Sequence, residues 1–293
     1  MRRRGSRNSC GDDETRSLID FVDCHSNLLV LTGAGCSTAS GIPDYRDADG
    51  EWRRGRPVMV QDFLRDTRTR QRYWARSLIG WKRLSNARPN GAHHALAILQ
   101  SEGRVRHLIT QNVDGLHQMA GSRNVIDLHG RVDVVRCMRC EARVPRQTFQ
   151  AELVRRNLDF AALDAHEGPD GDAGLEGVDF SAFDVPVCEV CDGVLKPDVV
   201  FFGESVPRER VRLAMAALTQ ADAMLVVGSS LMVYSGYRFA KAMSQAGKPV
   251  AAVNLGLTRA DDLLSIKVTG RCADVLASVV SAFRPVVAQT PQL

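Results

Sequence analysis

The sequence lacks any long apolar run, and none of its apolar segments approaches the roughly 20 residues that a membrane-spanning helix needs. No apolar segment follows the arginine-rich start of the chain, so the pattern of a secretory signal peptide is missing. The net charge is only +4, from 38 basic and 34 acidic residues, which is too small to indicate nucleic-acid binding without a localised patch. We therefore expect neither a membrane nor a nucleic acid as the partner of this chain.

The cysteines are grouped in a way that does not indicate a disulfide framework. Four of the eight form two Cys-x₂-Cys pairs, Cys137/Cys140 and Cys188/Cys191, which are separated by 47 residues. Four thiolates at this spacing are the donor set of a closed tetrahedral zinc site, which leaves no coordination position for water. We therefore predict one structural zinc and a reducing compartment, the cytoplasm, with the mitochondrial matrix as the alternative for a eukaryotic source.

Short apolar runs alternate with helical patterns along most of the chain. The runs are Leu28–Thr32, His107–Thr110, Ala223–Val227 and Val250–Val253, and the helical patterns include Gly91–Gln100 and Arg208–Leu218. Continuous apolar strands are typical of a parallel sheet that is covered by helices on both faces. We predict the α/β class, with a Rossmann-like, doubly wound parallel sheet.

The segment between the cysteine pairs interrupts this alternation. It contains an acidic, glycine-containing stretch from Asp164 to Asp184. A segment whose ends are held by one metal can be inserted in a larger fold without a large core of its own, so we predict an inserted small zinc-binding module. The predicted organisation is a flexible tail at 1–13, a discontinuous Rossmann-like domain at 14–130 and 197–285, the module at 131–196 and a second tail at 286–293.

A glycine-rich turn follows the first apolar run and has the sequence Gly33-Ala34-Gly35-Cys36-Ser37. Small residues allow backbone N–H groups to approach a phosphate, and we expect a helix N-terminus beyond the turn to favour the negative charge. The third glycine of the usual dinucleotide fingerprint is missing, because position 38 is Thr. The turn alone therefore leaves a nucleotide site and a plain tight turn both open.

Further motifs follow in order, and with them the chain resembles the sirtuin family. The motifs are Gly41-Ile42-Pro43-Asp44-Tyr45-Arg46, Gln111-Asn112-Val113-Asp114, His129-Gly130, the two cysteine pairs, Lys196-Pro197-Asp198-Val199-Val200-Phe201-Phe202-Gly203-Glu204, Gly228-Ser229-Ser230 and Asn254-Leu255-Gly256. The resemblance covers residues 17 to 282. It is closest to the sirtuin 4-like branch, because of the segments 71–76 and 235–238 and the long insertion between the cysteine pairs.

The resemblance implies an NAD-consuming protein-lysine deacylase that converts acyl-lysine proteins and NAD into free lysine, nicotinamide and O-acyl-ADP-ribose. It implies that His129 is the general base, a task that suits an imidazole near neutral pH, and that Asn112 acts beside it. The NAD contacts that it implies are Gly33, Ala34, Gly35, Ser37, Asp44, Tyr45, Arg46, Gln111, Asn112, Asp114, Gly228, Ser229, Ser230, Asn254, Leu255, Gly256 and Cys272.

The expected acyl pocket consists of Tyr73, Arg76, Val200 and Phe201. Tyr73 and Arg76 share one face of a helix, and in sirtuins that remove acidic acyl groups a Tyr and an Arg at this spacing bind the distal carboxylate. An ordinary surface pair is the alternative for these two residues. For the whole chain, the alternatives are a protein mono-ADP-ribosyltransferase and a non-catalytic module that senses NAD or acyl-lysine, and the sequence leaves the oligomeric state open.

Overall fold

A computed structural model describes residues 9–45, 57–163, 166–167, 172–175 and 177–283, which form two units with a cleft between them. The described helices are α1 (Ser9–Cys24), α2 (Val60–Arg65), α3 (Thr67–Leu84), α4 (Gly91–Ser101), α5 (Leu116–Met119), α6 (Arg146–Arg156), α7 (Leu158–Ala161), α8 (Arg208–Gln220), α9 (Tyr234–Gln245) and α10 (Cys272–Phe283). The described strands are β1 (Leu28–Thr32), β2 (Val105–Thr110), β3 (Val125–Asp127), β4 (Gly130–Cys137), β5 (Arg143–Pro145), β6 (His166–Glu167), β7 (Ala173–Gly174), β8 (Leu195–Val199), β9 (Ala223–Val227), β10 (Val250–Val253) and β11 (Ile266–Val268).

The larger unit contains a six-stranded sheet in the order β3-β2-β1-β9-β10-β11. Its neighbouring strands are all parallel. The chain runs outward from β1 to β3 in one direction and from β9 to β11 in the other, so the strand order reverses between β1 and β9. Ligands of open α/β sheets bind outside the carboxyl ends of the strands at such a reversal. The predicted doubly wound parallel sheet is confirmed.

Helices cover both faces of this sheet. Successive side chains of a strand point to opposite faces, so each strand contributes to the core on both sides. In β1, Leu28 and Val30 pack against the face covered by α1, α4 and α10. Leu29 and Leu31 pack against the opposite face, with α8 and α9. Since both sets of side chains are buried, the first four positions of the strand are apolar and appear as a continuous apolar run, and the hydroxyl of the buried Thr32 donates to Thr110.

The smaller unit contains a three-stranded antiparallel sheet in the order β5-β4-β8, together with the four paired cysteines. Helices α2 and α3 share its core: Phe63 and Trp74 are fully buried there beside Phe149 and Phe183. These two helices lie in the 14–130 stretch that we assigned to the larger domain. The smaller unit is therefore assembled from two separate segments and extends beyond the inserted module.

Two local expectations need correction. Helix α1 begins at Ser9, inside the predicted tail at 1–13. The glycine-rich turn after β1 continues as two 3-10 turns, at Ala34–Cys36 and Thr38–Ser40, so the expected α-helix N-terminus is not formed there among the described residues. None of the described helices combines the length and the apolar character needed to cross a membrane.

Candidate active site and metal centre

A cleft of about 2120 Å³ lies at the carboxyl ends of the central strands, between the two units. Most of the residues predicted to bind NAD line it: Gly33, Ala34, Gly35, Asp44, Tyr45, Gln111, Asn112, Gly228, Ser229, Ser230, Asn254, Leu255, Gly256 and Cys272. His129 and the four residues of the expected acyl pocket line the same cleft. Arg46 lies outside the described residues.

The loops that follow β1 and β9 approach each other closely on one side of the cleft. The backbone N–H of Gly35 donates to the carbonyl oxygen of Gly228 over 2.9 Å, and that of Gly33 donates to Val227 over 3.2 Å. A Cβ atom on Gly228 would lie 2.3 Å from the backbone nitrogen of Cys36, and φ at Gly228 is +61°. The glycines are therefore needed for the approach of the two loops.

The amide of Asn112 is held by the loop after β1. Its Nδ2 donates to the carbonyl oxygen of Gly33 and to Oγ of Ser37, both over 3.0 Å. The hydroxyl of Ser37 in turn donates to the Asp114 carboxylate over 2.7 Å. We predicted that Ser37 and Asp114 contact the cofactor, but neither is among the described residues that line the cleft. Their place in the structure is behind Asn112, where they fix the orientation of its amide.

The ring of His129, just beyond β3, is held at both nitrogens. Nδ1 lies 3.0 Å from the carbonyl oxygen of Gln111, and Nε2 lies 2.8 Å from the hydroxyl of Ser235 at the start of α9. A carbonyl oxygen can only accept, so Nδ1 carries the proton and Nε2 accepts from Ser235. Burial lowers the pKa of His129 from 6.5 to about 4; the bond to Gln111 opposes this shift, and Arg210 and Arg238 add to it. At neutral pH the ring is therefore a neutral proton acceptor.

The contact between Ser235 and His129 was missed by the sequence analysis. The segment 235–238 indicated only a resemblance to the sirtuin 4-like branch, and no role was predicted for Ser235. The two residues are 106 positions apart and meet because the N-terminus of α9 lies beside the end of β3. A local pattern carries no signal for such a contact, since it depends on the packing of the sheet.

A continuous wall leads from His129 toward the expected acyl pocket. The backbone N–H of Val200 donates to the carbonyl oxygen of His129 over 2.8 Å. The neighbouring ring of Phe201 packs on the ring of Tyr73, with centroids 5.1 Å apart. The structure thus brings three of the four predicted pocket residues, Tyr73, Val200 and Phe201, together on the side of the cleft that contains His129.

Arg76, the fourth predicted pocket residue, has a carboxylate partner that the sequence analysis did not anticipate. Its Nε donates to Oδ1 of Asp172 over 2.8 Å, and its Nη2 donates to Oδ2 over 2.6 Å. Asp172 belongs to the insertion between the cysteine pairs and also lines the cleft. The guanidinium is therefore engaged in a two-point ion pair within the protein itself.

The four paired cysteines come together as predicted. The Sγ atoms of Cys137 and Cys191 are 3.5 Å apart, those of Cys140 and Cys188 are 3.6 Å apart, and all four lie within 4.8 Å of one another. Tetrahedral zinc with bonds of about 2.3 Å to sulfur holds its ligands about 3.8 Å apart, so the cluster fits one such ion. Gly193 is required beside it, because a Cβ there would lie 2.7 Å from Sγ of Cys137.

Comparisons with known proteins agree with this geometry. The model of the Sir2 family matches residues 33–235. The "NAD-dependent protein deacetylase 2" of Bradyrhizobium diazoefficiens is 64% identical over 262 residues, which are 89% of this chain and 96% of the relative. A solved structure described as "Structural Basis for the Mechanism and Regulation of Sir2 Enzymes" has a TM-score of 0.73 at 32% identity and covers 93% of this chain and 100% of its own. Another, of a Sir2 variant with a deacetylated p53 peptide and 3'-O-acetyl-ADP-ribose, has a TM-score of 0.73 at 30% identity and covers 92% and 98%.

Proposed function

The chain belongs to the Sir2 family, and from this premise we propose that it is an NAD-dependent protein-lysine deacylase. The observation that carries the proposal is the neutral ring of His129, with an accepting nitrogen in a cleft at the reversal of the strand order. The overall reaction converts an acyl-lysine side chain and NAD into lysine, nicotinamide and O-acyl-ADP-ribose. Deacetylation is the reaction named for the relatives of this chain.

The residues around the cleft fit NAD as the co-substrate. Gly33–Gly35 and Gly228–Ser230 offer a close-packed backbone for its phosphates and a ribose, which is the use of such loops in Rossmann-like folds. Asn254–Gly256, Cys272 and Asn112 line the cleft, and we assign the first two to the adenosine end of NAD and Asn112 to the nicotinamide ribose. When bound, NAD supplies the anomeric carbon from which nicotinamide leaves.

His129 supplies the proton acceptor. Its lowered pKa keeps Nε2 unprotonated at neutral pH, so this atom can take a proton from a ribose hydroxyl. The Ser235 hydroxyl, which donates to Nε2 in the structure, must turn away so that the ribose hydroxyl can take its place. Asn112, whose Nδ2 donates to two acceptors, lines the same cleft as His129.

Zinc has a structural role in this proposal. Four cysteine ligands close its coordination shell, and the cluster lies in the smaller unit, whose core includes the α3 segment that lines the cleft. The expected protein substrates are acyl-lysine proteins, and we place the reaction in the cytoplasm on the basis of cysteine use.

The test is incubation of the protein with an acetyl-lysine peptide and NAD, with the products identified by mass spectrometry. Free lysine peptide and O-acetyl-ADP-ribose are expected. A peptide that gains ADP-ribose would indicate a transferase instead, and no product would indicate a non-catalytic module. The variant His129→Ala should lose about 10²- to 10⁴-fold in kcat/KM, as expected for loss of a general base. His94→Ala, at an exposed position, is the control that should retain activity.

A further inference from the structure

We propose that Asp172 is a specificity-determining residue of the acyl pocket, which pairs with Arg76 and thereby makes the pocket select neutral over acidic acyl groups. This inference rests on the proposed deacylase function and adds the class of acyl group that the enzyme prefers. It starts from the two hydrogen bonds, of 2.8 and 2.6 Å, that join the Arg76 guanidinium to the Asp172 carboxylate.

The pair lies on the path that an acyl chain would follow away from the reacting atoms. His129 is joined to Val200 by a backbone hydrogen bond, and Phe201 packs on Tyr73. Arg76 lies one helical turn beyond Tyr73 on α3, so the two side chains share a helix face. Both residues line the cleft together with Asp172. A carboxylate at the far end of an acyl chain would therefore reach the Arg76 guanidinium.

The position of Asp172 is fixed by the strand that follows it. The backbone N–H of Ala173 donates to Oδ1 of Asp172 over 2.9 Å. Ala173 is fully buried, and Leu175 is 9% exposed. Strand β7 packs against α3, so the carboxylate is held beside Arg76 by its own backbone and not only by the attraction of the opposite charge.

An acidic acyl group must compete with this built-in carboxylate. Its own carboxylate can pair with Arg76 only if it displaces Asp172 or adds a second negative charge to the same guanidinium. A neutral acyl group leaves the ion pair intact, so neither charge loses its partner. The sequence alone led us to expect that Arg76 favours acidic chains. Its pairing with Asp172 joins two distant segments and leaves no local sequence pattern.

The selectivity should be moderate because the pair is partly exposed. The side chains of Arg76 and Asp172 retain 30% and 41% of their accessible surface. Ion pairs at such positions are weakened by solvent and contribute about 0.2–1 kcal/mol, so removal of the Asp172 charge should change the relative preference for acidic chains by roughly 2- to 5-fold.

The experiment compares acetyl-lysine and glutaryl-lysine forms of one peptide. Dissociation constants are measured by fluorescence anisotropy, and kcat/KM is measured with NAD. The variants are Asp172→Asn, which keeps the size of the side chain, Asp172→Ser as a second replacement, and the double variant R76M/D172N. Asp184→Asn is the matched control, because Asp184 belongs to the same insertion and pairs with Arg156 over 3.2 Å without lining the cleft.

Wild type should bind and convert the acetyl peptide in preference to the glutaryl peptide. Both single replacements of Asp172 should raise the glutaryl-to-acetyl ratio about 2- to 5-fold, and the double variant should lose this gain. Asp184→Asn should leave the ratio at the wild-type value. Unchanged ratios in the Asp172 variants, or a wild-type preference for glutaryl, would overturn the proposal. Because the dissociation constants do not require turnover, an inactive protein would refute the deacylase function while the binding ratios still decide the role of Asp172.

Discussion

Acidification from pH 7 to pH 5 is expected to destabilise the folded protein through two buried histidines, His93 and His117. They are at most 1% exposed, and their ring centroids are 4.8 Å apart. Burial lowers the pKa of His93 from 6.5 to about 4 and that of His117 from 6.5 to about 3, and for His117 the neighbouring His93 adds to the effect. Both rings are therefore neutral in the folded state throughout this pH range.

The hydrogen bonds of the two rings explain why a second proton is not accommodated. Thr32 donates to Thr110, so its Oγ1 accepts from Nε2 of His117 over 2.9 Å. Nδ1 of His93 accepts from the backbone N–H of Asn90 over 3.2 Å, as part of the cap of α4. Protonation of that nitrogen would break the cap, and any added charge would be buried.

The magnitude follows from proton linkage. In the unfolded chain each histidine titrates near pH 6.5, so below this pH the unfolded state binds more protons and the free energy of unfolding falls. The loss continues until the pH reaches the folded-state pKa values. Between pH 7 and pH 5 it amounts to about 2 kcal/mol for each histidine and about 4 kcal/mol for the pair. This is a large part of the 5–15 kcal/mol that is typical of natural proteins.

The assay is urea unfolding, followed by circular dichroism at pH 7, 6 and 5. His93→Gln should remove about half of the pH dependence, since Gln is uncharged and can still serve at the third position of a capping box. His94→Gln, at the exposed neighbouring position, should keep most of the wild-type pH dependence, because the charge of His94 is a weaker influence on the pKa of His93 than burial. A wild-type change below about 1 kcal/mol, or equal slopes for His93→Gln and wild type, would refute the reasoning.

Three further outcomes are expected. Zinc chelation or Cys188→Ser should unfold the smaller unit, since structural zinc contributes about 10–16 kcal/mol in small peptides. Elemental analysis should find one zinc per chain. A zinc-free protein with full activity would contradict the structural role. Gly228→Ala should abolish NAD binding in calorimetry because of the 2.3 Å clash with the loop after β1, whereas Gly247→Ala, also at positive φ but with nothing within 4 Å, should retain it. Ser235→Ala should raise the pKa of His129, because it removes a hydrogen-bond donor to the neutral ring, and should therefore shift the acidic limb of the kcat/KM profile to higher pH. Ser235→Thr should restore the limb, and an unshifted limb in Ser235→Ala would exclude a role of Ser235 in setting the pKa of His129.

The central strands could be predicted from the sequence because burial on both faces requires a run of consecutive apolar residues, which is a local pattern. The bounds predicted for β1, β9 and β10 agree with the structure, since a strand buried on both faces is apolar at nearly every position. Strands β3 and β11 have only three residues each and are mostly half-buried, so they leave no continuous apolar run. The existence of a strand was therefore predictable where both of its faces are covered by helices.

The sequence did not predict which unit a helix packs against, or which distant side chains pair with each other. The apolar face of α3 has the same sequence pattern whether it packs on the large sheet or, as observed, on the smaller unit. The pairing of Arg76 with Asp172 joins residues 96 positions apart. The cysteine cluster was the exception among long-range contacts, because metal ligation imposes a recognisable spacing on each half of the site.

The two cysteine pairs tie the ends of the 47-residue segment between Cys140 and Cys188 to one point. The entropy of closing such a loop grows only with the logarithm of its length, so doubling the segment costs about 0.6 kcal/mol. Added length in the exposed parts of this segment is therefore tolerated, whereas its buried residues Phe149 and Phe183 belong to the core of the smaller unit. Since the same segment places Asp172 against α3, it is the part of the molecule where substrate choice can evolve independently of the chemical step.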